Sequence, residues 1–328
     1  MKIEPESAVL NDYHSLVDGL GYLALPHTLI ELTGTDRMSF LNNFCTNDIV
    51  GLIPGRGCEA FLTNVQGKIM AHVFVFCHED RLIIATVSGQ ADTILPHLDR
   101  YLIREDVQLN DQSKQRSVTL LSGTKWATHF EPLFTEDFTS VLQCMASEFA
   151  GIPVELYRVE MTTTSSLLLV CDSASQSTLE ATFRKISAHP CSEQALTMAR
   201  IEAGWPQYGI DISDTNFPQE IGRDHQAICF TKGCYLGQET VARIDALGHV
   251  NWNLVGLQFE SEAIPSPGME LIVEQKTIGH VTSATHSPCL AAPLALAYVR
   301  REHQLPGCQL NSKIGSAKVV TLPIAKRN

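Results

Sequence analysis

The feature that most constrains the fold of this 328-residue chain is an internal repeat of a strand followed by a helix. Residues 29–40 (LIELTGTDRMSF) and 119–130 (TLLSGTKWATHF) share an apolar strand, a Gly-Thr pair and a helix-like segment with aromatic anchors. A second matching pair lies downstream, at 81–95 and 166–180, so the repeat offset is about 85 to 90 residues. Such duplication predicts two similar α+β halves around a pseudo-two-fold axis, with any ligand at the interface between them.

A change of texture near residue 248 predicts a further domain. From Asn251 onward, short strand-like segments are separated by turns, which is typical of a small β-barrel. A chain of this length also exceeds the roughly 250 to 300 residues at which a single core stops growing. We therefore predict an α+β fold with a first half over 1–110, a second half over 111–248 and a C-terminal β-barrel over 249–328.

Charge and composition narrow the possible partners and location. The formal net charge of −12 and the pI of about 5.4 disfavour non-specific attraction to nucleic acid or to an anionic membrane. Residues 1–11 contain no long apolar core, and no run approaches the roughly 18 apolar residues that would span a bilayer. We expect a cytoplasmic protein without nucleic-acid or membrane partners.

The cysteines do not indicate a disulfide scaffold or a metal centre. Ten cysteines without CxxC pairs are too dilute for a disulfide-rich secreted fold, and most are expected to be buried. Cys229 lies five residues before Cys234, but Ile228-Cys229-Phe230 is typical of a buried strand, and two thiols do not complete a tetrahedral site. The histidines form no HxH or HxxxH pair. We therefore predict no metal site.

The most distinctive local sequence is KGCYLGQE, at residues 232–239. Its defined positions are Lys232, Gly233, Cys234, Tyr235, Gly237, Gln238 and Glu239. Glycines on both sides of a lone cysteine suit a tight, solvent-reachable loop that presents Cys234. Because a nearby cation raises the thiolate fraction, Lys232 is a candidate activator of this thiol, and Cys234 is the candidate catalytic residue. The alternative is that the lysine and the cysteine simply face water.

The octapeptide resembles the signature of the YgfZ-type folate-binding proteins of iron-sulfur cluster maintenance, which are related to the aminomethyltransferase (T-protein) of the glycine cleavage system. It matches at every defined position, with Leu236 in the variable slot, and residues 279–300 resemble the T-protein barrel. The resemblance implies two α+β halves and the barrel arranged as a ring around a central folate cavity. It also implies tetrahydrofolate or a derivative as cofactor, and iron-sulfur client or assembly proteins as partners.

The same resemblance implies cofactor-binding residues. In T-proteins a helix-end glutamate, in EAG followed by YG, holds the pterin ring, and the matching residues here are Glu202 and Tyr208. A carboxylate at the end of a helix opposes the helix dipole, and it suits the donor pair of a pterin. Lys232 is a further candidate contact for the cofactor. The alternative for Glu202 is a solvated residue at a helix end.

Two further elements resemble the T-protein. The segment CTNDI at 45–49 matches its TND element, where Asn47 and Asp48 are expected to cap a turn. In the strand that begins at Gly67, Met70 and Ala71 are matched to the family's aspartate pair. Neither side chain can act as an acid or a base, so aminomethyl transfer by the family's usual mechanism is not expected.

These observations support three functional hypotheses. The first is a tetrahydrofolate-binding protein that supports assembly or repair of iron-sulfur clusters in client enzymes, with Cys234 making a transient thiol contact. The second is a folate-dependent aminomethyl or one-carbon transferase. The third is a non-catalytic scaffold. Whether the chain is an enzyme stays open at this point.

Overall fold

The structure is a computed structural model that describes residues 7–130 and 138–324. Its strands are β1 (Gly21–Leu25), β2 (His27–Thr33), β3 (Arg56–Thr63), β4 (Ile69–Cys77), β5 (Leu82–Val87), β6 (Gln108–Asp111), β7 (Arg116–Ser122), β8 (Cys144–Phe149), β9 (Ile152–Val159), β10 (Ser166–Asp172), β11 (His189–Pro190), β12 (Trp252–Phe259), β13 (Glu270–Val273), β14 (Lys276–Ser287), β15 (Ala292–Arg300), β16 (Gln309–Ser312) and β17 (Gly315–Val320). Its α-helices are α1 (Ser7–Val17), α2 (Arg37–Asn42), α3 (Ala91–Asp99), α4 (Trp126–Phe130), α5 (Gln176–Lys185), α6 (Glu193–Ala203), α7 (Asp224–Ala227) and α8 (Gln238–Leu247). Within the described ranges, none of the helices has the length and apolar character needed to cross a membrane.

The strand-helix repeat is confirmed by the pairing of the strands. In one sheet β2 is followed by α2 and β5 by α3, and β2 and β5 pair antiparallel with Ile30 opposite Ile84. In the other sheet β7 is followed by α4 and β10 by α5, and these strands pair antiparallel with Leu120 opposite Leu168. Each copy of the repeat therefore contributes two hydrogen-bonded neighbours to its own sheet.

The two sheets are not built from consecutive halves of the chain. A five-stranded sheet has the order β3-β4-β5-β2-β6, so it uses residues 27–111. The second sheet has the order β11-β1-β7-β10-β9-β8 and takes in β1, which runs parallel to β11 with Gly21 opposite His189. Residues 7–25, which the sequence placed in the first half, thus belong with the second sheet. The apolar ring of Tyr22 explains this, because it packs against Phe183 of α5.

The sheets face each other across an apolar core. Phe74 and Phe76 of β4 meet Leu120 of β7 and Tyr157 of β9 in this layer. The rings of Phe76 and Tyr157 are stacked with their centroids 4.2 Å apart. One end of this layer is covered by α6 and widens into the cavity described below.

The C-terminal strands form a closed barrel in the order β12-β15-β14-β13-β16-β17. The barrel has its own core, which includes Leu257, Leu271 and Val299. It is joined to α6 through the packing of Ile201 against Leu296. The barrel therefore supports the helix that covers the cavity.

Candidate functional site

The main cavity lies between the two sheets and helix α6 and has a volume of about 320 Å³. Both sheets contribute apolar side chains to its wall, among them Leu29, Val118 and Leu168, and α6 contributes Leu196. This volume falls in the range of about 300 to 1,000 Å³ that is typical of small-molecule sites. The cavity lies at the interface at which the repeat predicted a ligand.

Helix α6 places a polar group in this apolar wall. The helix begins after Ser192, whose hydroxyl accepts a hydrogen bond from Ala195, and it ends at Gly204 in the left-handed conformation (φ +72°). Arg200 on its last turn is buried and lines the cavity. Its Nη1 donates to Asp211 (2.7 Å), but its Nε has no partner among the described residues. An unpaired buried N–H costs about 1 to 3 kcal/mol, so this group offers a donor to a ligand.

Asp211 holds Arg200 in place and links it to the barrel. Oδ2 accepts from Arg200 and from the Gln207 backbone N–H (3.0 Å). Oδ1 accepts from the hydroxyls of Thr282 and Ser283 on β14, each at 2.6 Å. The carboxylate is therefore fully engaged, and the guanidinium position depends on the barrel.

A hydrogen-bonded triad of Glu59, His72 and Arg223 supports the opposite wall. His72 on β4 lines the cavity, and its Nε2 is 2.7 Å from Oε1 of Glu59 on β3. Arg223 donates to both oxygens of the same carboxylate, from Nη2 to Oε2 at 2.5 Å and from Nε to Oε1. Burial alone would raise the pKa of Glu59, but the hydrogen bonds from Arg223 and His72 outweigh it and lower the pKa to about 2.

Trp205 joins this triad to the cavity. Its indole is stacked on His72 (5.0 Å between centroids) and on Phe74 (5.3 Å). The guanidinium of Arg223 lies 4.5 Å from the indole centroid, a cation–π distance. The wall is therefore rigid, aromatic and supported by a buried ion pair.

The structure changes the interpretation of the strand that begins at Gly67. Ala71 packs in the core on the far side of the first sheet, and Met70 packs against that same core. The cavity-facing residue is His72, because side chains alternate between the two faces of a strand. The strand therefore places a histidine in the cavity wall, next to the pair that was matched to the family's aspartates. The alternation in HVFVF, with His72 on the face of Phe74 and Phe76, was the signal that sequence reasoning missed.

Glu202 has surroundings that differ from those expected of a pterin ligand. Its side chain is fully buried and is not part of the cavity wall. One oxygen accepts from Tyr13 of α1 (2.5 Å), and the other accepts from the Ser287 hydroxyl and from the Cys289 N–H (3.1 Å). The carboxylate thus ties α1, α6 and the barrel together, which is a structural role.

The other two predicted cofactor residues lie in different places. Tyr208 lines the cavity, and burial raises the pKa of its hydroxyl. Lys232 does not line it, and its Nζ donates to the carbonyls of Asn42, Cys45 and Asn47, each at 2.7 Å. Burial lowers the pKa of this ammonium. Lys232 therefore anchors the loop after α2, and the structure directs its ammonium to that loop.

The remaining motif residues form a loop on the outer side of β3 and β4. Cys234 is exposed to solvent and is not part of the cavity wall, whereas Tyr235 is buried beside Phe61. Gly237 has φ +83°, and a Cβ there would lie 2.4 Å from the Asn64 carbonyl oxygen. The close approach of the two loops therefore requires glycine at this position.

The positions of Gly233, of the last two motif residues and of the TND element remain to be described. Gln238 and Glu239 open helix α8, and Glu239 is exposed. Gly233 is exposed with open space around it. In the TND element, the Asn47 side chain accepts from the Asp48 N–H (2.9 Å) and the Asp48 side chain from the Gly51 N–H (3.2 Å), so both residues stabilise a turn.

Comparison with known protein families covers both parts of this architecture. Residues 25–227 match the GCVT N-terminal domain family. Residues 253–326 match the glycine cleavage T-protein C-terminal barrel domain family. The second match coincides with the closed barrel.

Individual relatives that align with most of this chain are described as aminomethyltransferases. An aminomethyltransferase of Nostoc sp. is 27% identical over 309 residues, which is 89% of this chain and 80% of the relative. One of Bacillus subtilis is 25% identical and is aligned over 98% of this chain and 92% of its own. The crystal structure of the glycine cleavage system aminomethyltransferase T from Bartonella henselae superposes with a TM-score of 0.88 at 18% identity, covering 98% and 90% of the two chains. The fold is thus T-protein-like, and the chain belongs to the glycine cleavage T-protein family, with a GCVT N-terminal domain followed by the C-terminal barrel.

Proposed function

We propose that the protein binds a reduced folate in the cavity between the two sheets. The observation that carries the proposal is the unpartnered Nε of Arg200, a residue in the wall of a mainly apolar cavity of about 320 Å³. A pterin combines a flat ring with polar edges, so it needs apolar faces and a few fixed polar groups. Leu168 and Leu196 supply apolar surface, and Arg200 and Tyr208 supply donors. Tetrahydrofolate would bring the capacity to carry a one-carbon unit.

The binding test uses thermal unfolding with 5-formyltetrahydrofolate as a stable probe. A ligand that binds only the folded state raises the melting temperature as its concentration exceeds Kd. Thr197→Trp places an indole into the cavity wall, and Gln194→Trp places one on an exposed part of the same helix. We expect a shift for the wild type and for Gln194→Trp, and none for Thr197→Trp. No shift for the wild type would contradict folate binding.

We further propose that the folate-bound protein supports assembly or repair of iron-sulfur clusters, with Cys234 as the working thiol. The support is the resemblance of KGCYLGQE to the YgfZ-type signature, together with the exposure of Cys234. A thiolate is a soft ligand for iron and a nucleophile toward oxidised sulfur. Its position outside the cavity wall leaves it accessible to a client protein.

The test of this role is made in cells that lack the native protein. Wild type, Cys234→Ala and the control Cys308→Ala, a half-buried barrel cysteine, are expressed in them. The activity of an iron-sulfur enzyme is then measured against that of a cluster-free enzyme. We expect the control to restore the cluster-dependent activity and Cys234→Ala to lose it. Equal activity with both variants would remove the cysteine from the function.

The second candidate function is transfer of the methylene unit of a lipoyl-bound aminomethyl group to tetrahydrofolate, with release of ammonia and the free lipoyl thiol. It is favoured by the relatives that are named aminomethyltransferases and by the titratable His72 in the cavity wall. A histidine can move protons near neutral pH, which removes the objection based on Met70 and Ala71. Purified protein would be given an aminomethylated lipoyl carrier and tetrahydrofolate. Formation of the methylene derivative of the folate, lost in His72→Phe, would establish this activity.

A further inference from the structure

A second pocket, lined by residues between Gln219 and Gln304, has a volume of about 250 Å³. It is formed where the segment before α7, the C-terminal part of α8 and the first barrel strand meet. It shares no residue with the wall of the main cavity. Its chemistry is therefore independent of the proposed folate site.

Three unsatisfied polar atoms belong to residues that line this pocket. They are Oε1 of Gln219, Oδ1 of Asp224 and Nδ2 of Asn253, each buried and without a hydrogen-bond partner among the described residues. Buried polar atoms are nearly always paired in folded proteins, so three orphans in one pocket call for an explanation. A bound polar ligand would supply it.

Gln219 is the best defined of the three. The residue is only 8% exposed, and its Nε2 donates to the Val241 carbonyl of α8 at 2.7 Å. This bond fixes the amide orientation and leaves Oε1 as the unpaired acceptor. Two residues of the pocket wall thus each carry an unpaired acceptor, an amide oxygen on Gln219 and a carboxylate oxygen on Asp224, and a donor-rich group would satisfy both.

The charges around the pocket indicate that this group is cationic. Asp224 and Asp245 both line it, and the C-terminal end of α8, with its partial negative charge, lies beside them. Burial raises the pKa of Asp224 to about 6, with Asp245 raising it further and His225 lowering it. A positive charge next to Asp224 would relieve this destabilisation of the carboxylate.

The size and the wall of this pocket suit an organic molecule better than a single ion. Within residues 7–130 and 138–324, no group of three or more His, Cys, Asp or Glu is placed to hold a metal ion. The pocket is also larger than a single ion requires. Asn253 adds an unpaired donor, and Arg301 adds a guanidinium at the exposed edge. Donors and acceptors in the wall of one pocket match a molecule with charges of both signs.

We propose that this pocket binds a small zwitterion, with its ammonium group on Gln219 and Asp224 and its carboxylate on Asn253 and Arg301. A purely anionic ligand would place a like charge beside Asp224 and Asp245, and a neutral donor would leave the charge of Asp224 uncompensated. A simple alkylamine would leave the donor and the guanidinium unpaired. The site would respond to an amino acid or a related metabolite.

The experiment is a calorimetric titration of the full chain with unbranched ω-amino acids from glycine to 6-aminohexanoate. Alkylamines and alkanoates of matching length serve as single-charge controls. We expect at least one amino acid to bind with Kd below about 1 mM. It should bind at least tenfold more tightly than its single-charge counterparts. Failure of every amino acid to bind at 10 mM or below, on the order of −3 kcal/mol, would overturn the proposal.

Two substitutions in the pocket and one outside it test whether the amino acid binds in this pocket. Asp224→Asn removes the central carboxylate, and Asn253→Asp replaces the donor with a repelling charge. Each should weaken binding at least tenfold, whereas Asp214→Asn, an exposed aspartate outside the pocket, should not. Asp224→Asn should not lower the melting temperature, since the oxygen it alters has no partner. Unchanged affinity in both pocket variants would also overturn the proposal.

Proton release on ligand binding gives an independent test of where the ammonium group lies. Asp224 is partly protonated near pH 6, and a bound ammonium favours its ionised form, so binding should release protons there. The charged neighbours that line the same pocket are Asp245, His249 and Arg301. Titration at pH 6 in two buffers of different ionisation heat measures the release, which should disappear in Asp224→Asn. Equal apparent heats in both buffers for the wild type would contradict the placement of the ammonium.

Discussion

The carboxylate of Glu59 is shared between His72, at 2.7 Å, and the Arg223 guanidinium, which donates to both of its oxygens. His72 lines the cavity, and Arg223 comes from the segment that leads into the motif loop. Their shared partner therefore couples the wall of the proposed folate site to the part of the chain that presents Cys234. Four predictions concern Glu59, Glu202, Lys232 and Gly237.

The first prediction concerns the acid stability of the Glu59 triad. The pKa of Glu59 falls from an ordinary value of 4.5 to about 2 on folding. This stabilisation is complete above pH 4.5 and is lost as the pH falls toward 2, and it amounts to roughly 3 kcal/mol. Urea unfolding between pH 5 and pH 3 should show a smaller loss of stability in Glu59→Gln than in the wild type. The same pH dependence in both proteins would contradict the triad.

The second prediction separates a structural from a ligand-binding role for Glu202. Its carboxylate accepts from Tyr13, Ser287 and Cys289 and is fully buried. Glu202→Ala leaves these donors unpaired, so the free energy of unfolding should fall by about 3 kcal/mol. Folate affinity of the folded variant should change less than threefold. A stable variant with strongly weakened folate binding would instead restore the role that sequence resemblance implies.

The third prediction concerns Lys232. Lys232→Met removes three hydrogen bonds to the carbonyls of the loop after α2, and the free energy of unfolding should fall by about 2 to 4 kcal/mol. Lys276→Met, an exposed lysine of the barrel, is the matched control and should change it by less than about 0.5 kcal/mol. The rate at which iodoacetamide alkylates Cys234 should stay within twofold of the wild-type rate. A tenfold fall in that rate would show that Lys232 activates the thiol after all.

The fourth prediction compares the two glycines of the motif. Gly237→Ala forces a Cβ to 2.4 Å from the Asn64 carbonyl oxygen at a φ of +83°, and stability should fall by at least about 2 kcal/mol. Gly233→Ala meets open space and has no positive φ, so its effect should stay within about 0.5 kcal/mol. Chemical unfolding of both variants distinguishes a required turn from a tolerant one. Equal stability would mean that the two loops can move apart.

Local patterns predicted the repeat and the barrel but not which strands belong to which sheet. Strand-helix duplication was visible because each copy keeps its own apolar strand and turn, as at Gly34 and Gly123. The parallel pairing of Gly21 with His189 joins segments that are far apart in sequence. No local propensity encodes such a long-range contact, so the sequence did not show that residues 7–25 belong with the second sheet.

The candidate site was predicted only in part, because its residues also come from elements that are far apart in the sequence. Tyr208 lines the cavity, and its role toward a cofactor stays a prediction. Glu202 pairs instead with Ser287 of the barrel, a partner that sequence spacing could not place. His72 was overlooked although the two-residue period of β4 puts it on the face of Phe74. Its partners Glu59 and Arg223 lie on separate elements and meet only in the folded protein.

The most direct test of the central claim is a crystal structure determined with tetrahydrofolate or its 5-formyl derivative bound. The account predicts that the pterin lies between the two sheets, in contact with Leu168 and Leu196, and accepts a hydrogen bond from Nε of Arg200. It also predicts that the Glu202 carboxylate keeps its bonds to Tyr13 and Ser287. A pterin held by Glu202, or a folate bound outside this cavity, would contradict it.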